Sequence, residues 1–155
     1  MCYPDSLIRG ISHPNLINDD GLPGADLFPF DKESTHLPGY HEESINWCDD
    51  QDAIRHTFDQ KKDDGDFQFK AGIAILPRSE LDRFKYNAHL KNRFDYERCC
   101  RDTNKYHGNL LLKKDTPKQV KRVIAGTLAL FAQVIKREDY ETASHETGVM
   151  GTFSS

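Results

Sequence analysis

The chain has no long apolar run. The longest, residues 123–135 (VIAGTLALFAQVI), is interrupted by Gly126, Thr127 and Gln133 and falls short of the roughly 20 residues a membrane span requires. The opening residues, MCYPDSLIRGIS, carry no basic segment followed by an apolar one, so no secretory signal is expected. Cysteine is sparse: four residues, at 2, 48, 99 and 100, without a CxxC pair or regular spacing. Neighbours such as Cys99 and Cys100 resist bonding to each other, because disulfide geometry disfavours so short a loop. A disulfide scaffold is not expected, and the cysteine pattern fits a reducing, cytoplasmic setting without membrane contact. Catalytic signatures are also missing. There is no GxSxG, Walker loop, GxGxxG or HExxH, so neither a nucleophile elbow nor a phosphate cradle is marked, and no cofactor is implied.

Proline and glycine are concentrated. Five of the seven prolines (Pro4, Pro14, Pro23, Pro29, Pro38) fall within residues 1–40, beside Gly10, Gly21, Gly24 and Gly39. That excludes long helices there. Short apolar pieces at Leu7-Ile8, Leu16-Ile17 and Leu27-Phe28 imply an irregular segment anchored on a core. The rest holds enough for one. Nine Phe, six Tyr and one Trp in 155 residues argue against disorder, despite 30% charged residues. A chain of this length buries about 68–70% of its unfolded surface. One domain over 1–138 is expected, followed by a flexible tail at 139–155.

The elements follow from period and caps. Strands are expected near 6–12, 43–47, 67–76 and 107–113, with a further short one near 26–30. Residues 67–76 (FQFKAGIAIL) alternate and then turn continuously apolar, which implies burial on both faces. Asp49 and Asp50 precede a helix near 51–61, with Ala53, Ile54, Thr57 and Phe58 on one face. Ser79 offers a cap to a helix near 79–90. Residues 86–106 read equally as helix or loop. Thr116, Pro117 and Gln119 stand at N-cap, N1 and N3 of a long helix over 117–137, a capping-box arrangement. The expected fold is α+β, or alternatively α/β, with a small mixed sheet. A right-handed parallel crossover could join 67–76 to 107–113.

Charge is sorted along the chain. Residues 1–66 carry 15 Asp/Glu against 5 Lys/Arg, and residues 78–122 carry 13 Lys/Arg against 6 Asp/Glu, so the net −4 hides a dipole. Within the basic block, Lys118, Lys121 and Arg122 share a helix face, and Lys113 and Lys114 approach from the strand. Cations at a helix N-terminus oppose the macrodipole. Together with Thr116 and free backbone N–H groups they would suit a phosphate or carboxylate. The plainer reading is a solvated basic face paired with the acidic half. Glu42, Glu43, Asp49, Asp50, Asp52, Asp63, Asp64 and Asp66 are candidates for Mg²⁺ or Ca²⁺, but most look like caps and turns and no EF-hand spacing occurs. His13, His36, His41, Cys48 and His107 lack the spacing of a zinc site.

Two fragments have family resemblances. Asp66-Phe67-Gln68-Phe69-Lys70 resembles the acidic-strand and x-Lys elements of a restriction-type nuclease core, with Gln68 where that family carries a carboxylate metal ligand. The resemblance implies a metal-dependent hydrolase. Leu7-Ile8-Arg9-Gly10 resembles the Arg-bearing first strand of some ADP-ribosyltransferases, which implies that Arg9 grips an NAD pyrophosphate. That family's Ser-Thr-Ser strand and catalytic Glu motif are not visible. The main expectation is an accessory or regulatory protein that acts by binding rather than catalysis, with a metal-dependent nuclease-like hydrolase and then an NAD-consuming transferase as the alternatives. The accessory protein would dock a charged macromolecule, a protein first and nucleic acid second through 78–122, using Lys113, Lys114, Thr116, Lys118, Lys121 and Arg122.

Overall fold

The computed structural model describes residues 5–35 and 37–148. Among them, six strands form one antiparallel sheet: β1 (Ser6–Ile11), β2 (Tyr40–Trp47), β3 (Gly72–Pro77), β4 (Phe94–Arg98), β5 (His107–Lys113) and β6 (Gln133–Lys136). Their order across the sheet is β4-β5-β2-β1-β3-β6. Four helices cover it: α1 (Gln51–Asp59), α2 (Arg78–Lys85), α3 (Lys118–Phe131) and α4 (Arg137–Gly148). The fold is α+β. No described helix is long and apolar enough to cross a membrane.

Strand alternation sorts the core into two clusters. Leu7 and Ile11 of β1, Ile45 of β2, Leu76 of β3, Phe94 of β4, and Leu110 and Leu112 of β5 meet Leu81 of α2 and Ile124 and Leu128 of α3. Ile8 of β1 and Ile73 and Ile75 of β3 face the other way, against Ala53, Ile54 and Phe58 of α1. There Phe58 stacks on Tyr140 of α4, 3.9 Å between centroids. The proline-rich first quarter is pinned to the α3 side: Leu27, Phe28 and Phe30 are fully enclosed.

Several expectations hold and several are corrected. The strand at 107–113 stands as read, and the helix expected near 51–61 is capped by Asp50, whose carboxylate accepts the Ala53 N–H, and ends at Asp59, where Gln60 turns extended. The strand expected at 6–12 covers Ser6–Ile11, and that at 43–47 extends back to Tyr40. The segment near 26–30 is a 3-10 turn, Ala25–Leu27, instead of a strand. The sheet is not mixed, and the parallel crossover is excluded: β3 and β5 are not neighbours and every strand pair is antiparallel.

The strand expected over 67–76 begins only at Gly72. Phe67 and Phe69 alternate for another reason: Arg137 lies over the Phe67 ring at 4.1 Å and donates to the Phe69 carbonyl at 2.8 Å. The helix expected at 79–90 is shorter, with Pro77, not Ser79, at its N-cap. Lys91 and Asn92 then turn through positive φ into β4, a strand the sequence reading missed. The helix expected over 117–137 stops at Phe131. Val134 and Ile135 leave the helical period to pair with Ala74 and Ile73, closing the open edge of β3. Residues 139–148, expected in a flexible tail, belong to α4, and the rest of that expected tail, 149–155, lies outside the described residues.

Candidate functional site

The start of α3 leaves its backbone donors open. No side chain caps this helix. Thr116, expected as the cap, instead donates its hydroxyl to the Lys113 carbonyl at 2.6 Å, so the capping box does not form. The first intrahelical bond is the Lys121 N–H to the Pro117 carbonyl at 2.9 Å. The N–H groups of Lys118, Gln119 and Val120 precede it and have no carbonyl one turn back. Beside them lies a cleft of about 370 Å³, between α3 and the 3-10 turn at Ala25–Leu27. Thr116, Lys118, Lys121 and Arg122 form one wall, and Asp26, Phe28 and Pro29 face them. Among the described residues, no ion pair engages Lys118, Lys121 or Arg122.

Four of the six expected residues therefore meet at one cleft. Lys114 is drawn away to Glu33, with which it forms an ion pair. Lys113 pairs in register with Tyr40 and alternates to the other face of β5 from Leu112. Sequence reading missed that His41, named there only as a zinc candidate, lies within reach of the Lys121 and Lys114 charges. Burial lowers its pKa, and the charges of Lys121 and Lys114 lower it further. It also missed the opposite wall. Asp26 and Phe28 reach the site only through tertiary packing, for which no local signal exists.

No family model, curated protein or solved structure matches this chain. The site is therefore judged by its geometry.

The other candidates disperse. Asp49 takes a two-pronged bond from Arg98, at 2.6 and 2.7 Å, which holds its carboxyl below the usual range. Asp50 caps α1 and also accepts the Tyr106 hydroxyl at 2.9 Å. Burial, then this bond, pushes Tyr106 up to about 12. Asp52 pairs with Arg55, and Asp64 accepts the Asp66 N–H. His13 precedes an exposed 3-10 turn, His41 lies on the α3 side of the sheet, and Cys48 and His107 are buried on the α1 side. His36 lies outside the described residues. No group of three or more His, Cys, Asp or Glu among the described residues is arranged to hold a metal ion.

Neither enzyme-like fragment finds its setting. Asp66 and Lys70 lie in a loop, not a strand, and pair with each other at 3.4 Å. Arg9 bonds inward. It donates to Glu43 at 2.5 Å, the Ser44 carbonyl at 2.8 Å and the Leu27 carbonyl at 3.3 Å. All these partners are structural.

Proposed function

We propose that the protein is an accessory, non-enzymatic binding module of the cytoplasm that docks an acidic protein segment in the cleft at the start of α3. The observation that carries this reading is the coincidence of Lys118, Lys121 and Arg122, none with an ion pair among the described residues, with a helix N-terminus no side chain caps. Three cations beside a positive dipole end repel one another. A carboxylate placed among them would accept from the free N–H groups and from the side chains together. Ala25 and Pro29, both exposed on the facing wall, add apolar contact for a peptide stem.

Nucleic acid is the second reading, because Lys91, Arg101 and Lys105 also lack ion-pair partners among the described residues. The net charge of −4 weighs against a phosphate-tracking surface. Fluorescence anisotropy with a poly-glutamate peptide and a single-stranded RNA of matched length separates the two. The peptide is expected to bind at low salt, to weaken as salt rises, and to lose binding in Lys118→Glu/Lys121→Glu. Peptide affinity unchanged in that variant would sink the reading. Binding of RNA alone would replace it with the second.

A further inference from the structure

We propose that the opposite face of the sheet carries a second site, a pocket for a small oxyanion built on His107, Arg101 and Gln60. The pocket encloses about 160 Å³ where β1, β2 and β5 meet the end of α1 and the loop before β5. Ile8, Gly10, Ser44, Asn46 and His107 share the face turned from α3, so the sheet separates this pocket from the cleft described above.

Its walls are pre-arranged. Asn46 donates its side-chain amide to the Thr57 hydroxyl at 2.8 Å and to the Gln60 carbonyl oxygen at 2.9 Å. Asn104 donates to the Asn46 carbonyl oxygen at 2.8 Å. The Asn104 carbonyl oxygen accepts the Tyr106 N–H at 3.0 Å. This chain of bonds orients each amide. The Gln60 side-chain oxygen accepts from Asn46, which leaves its NH₂ group as the donor not engaged in this chain at the pocket wall. His107 is only 4% exposed, and its Nε2 is enclosed without a hydrogen-bond partner. An unmade hydrogen bond on a buried group is costly, so such atoms point to a ligand or an ordered water.

The balance of donors decides the ligand class. Arg101 is exposed, carries no ion pair among the described residues, and is the one cation in the lining. No carboxylate lines the pocket. Donors from Arg101, Gln60, Ser44 and a protonated His107 would converge on a ligand that only accepts. Burial first, and then the charges of Arg101 and Lys32, hold His107 toward the neutral ring, against Glu42 and Glu97. An anion beside Arg101 would tip that balance toward the protonated ring. The volume equals about five waters at roughly 30 Å³ each, which admits a phosphate or a short carboxylate and not a nucleotide.

Titration of the full chain, followed by the NMR signals of His107 and the side-chain amides, tests the proposal with two probes, inorganic phosphate and acetate. Chloride at matched ionic strength is the control. Saturable shifts at His107 and Gln60 are expected with at least one probe, and the stronger probe identifies the oxyanion type. Arg101→Gln, a change at an exposed position, is expected to weaken binding about tenfold or more while His107 remains as reporter. A His107 pKa that rises on saturation would also support the site. Shifts that never saturate, that chloride reproduces, or that survive Arg101→Gln at full affinity would overturn it.

Discussion

At the scale of single residues, one knot ties the proline-rich segment to the sheet. β1 leaves β2 after Ile8, and residues 32–34 pair with the vacated edge, through Ser34 N–H to the Tyr40 carbonyl and Glu42 N–H to the Lys32 carbonyl. Arg9 fills the wedge between them. Glu43 then binds Arg9 with one oxygen and accepts the Phe30 N–H at 2.8 Å with the other. Phe30 itself is buried at φ +48°, a conformation that costs an L-residue about 1–2 kcal/mol, so the Glu43 bond offsets a local strain. Glu43→Gln leaves the Arg9 charge poorly compensated and is expected to destabilise by about 3 kcal/mol, the low end for a buried pair, because Arg9 keeps 20% exposure. Urea unfolding measures it, and an unchanged midpoint would refute the role. Burial also lowers the pKa of His41 and of His107. Both rings resist protonation in the folded state, while the unfolded chain takes up protons near pH 6.5. Stability is therefore expected to be full above about pH 6.5 and to fall on acidification toward the folded-state pKa values. Unfolding curves at neutral pH and in mild acid check the sign.

At the scale of elements, the division between legible and illegible is physical. The helix α1 and the strand β5 carry their instructions locally: an Asp50 cap with a buried face, and the apolar run of Leu110, Leu111 and Leu112. The segment from α3 to β6 does not. Its apolar residues fit a helical period to the end, and only pairing with β3, remote in sequence, converts the last four into strand. β4 was missed for a similar reason. Its Phe94 and Tyr96 alternate for only five residues, between basic stretches that read as helix or loop. Two glycines report on this junction in opposite directions. A Cβ at Gly72, where φ is +149°, would sit 2.3 Å from the Ile135 carbonyl oxygen and 3.0 Å from the Lys136 Cα, both backbone. Gly72→Ala is expected to cost more than about 1 kcal/mol and to loosen β6. A Cβ at Gly126 meets nothing within 4 Å. Gly126→Ala lies inside α3 and is expected to stabilise by about 0.5–1 kcal/mol. Hydrogen exchange on β6, with unfolding midpoints for both variants, distinguishes a β3–β6 junction from a continuous helix, which would give the two substitutions the same sign.

At the scale of the whole molecule, folding neutralises much of the charge sorting seen along the chain. Arg98 reaches back to Asp49, Arg78 to Asp5 and Lys114 to Glu33, each joining the basic block to the acidic half. These pairs are at least partly exposed and contribute about 0–1 kcal/mol apiece, so they organise the field more than they hold the fold. The α3 cations remain outside this pairing. Lys118, Lys121 and Arg122 were legible in sequence as a shared helix face, whereas the cleft they line was not, because its other wall comes from Asp26 and Phe28. The choice between a solvated face and a binding face can be made without a partner in hand. A lysine in the first turn of a helix opposes the dipole, and an acidic residue there favours it by about 0.3–1 kcal/mol. Lys118→Glu is therefore expected to raise the unfolding midpoint while it weakens binding of the acidic peptide. A residue kept for stability would do the reverse: its reversal would lower the midpoint by breaking an internal pair. Thermal unfolding beside peptide anisotropy on this one variant thus separates a patch retained for docking from one that the acidic half already satisfies.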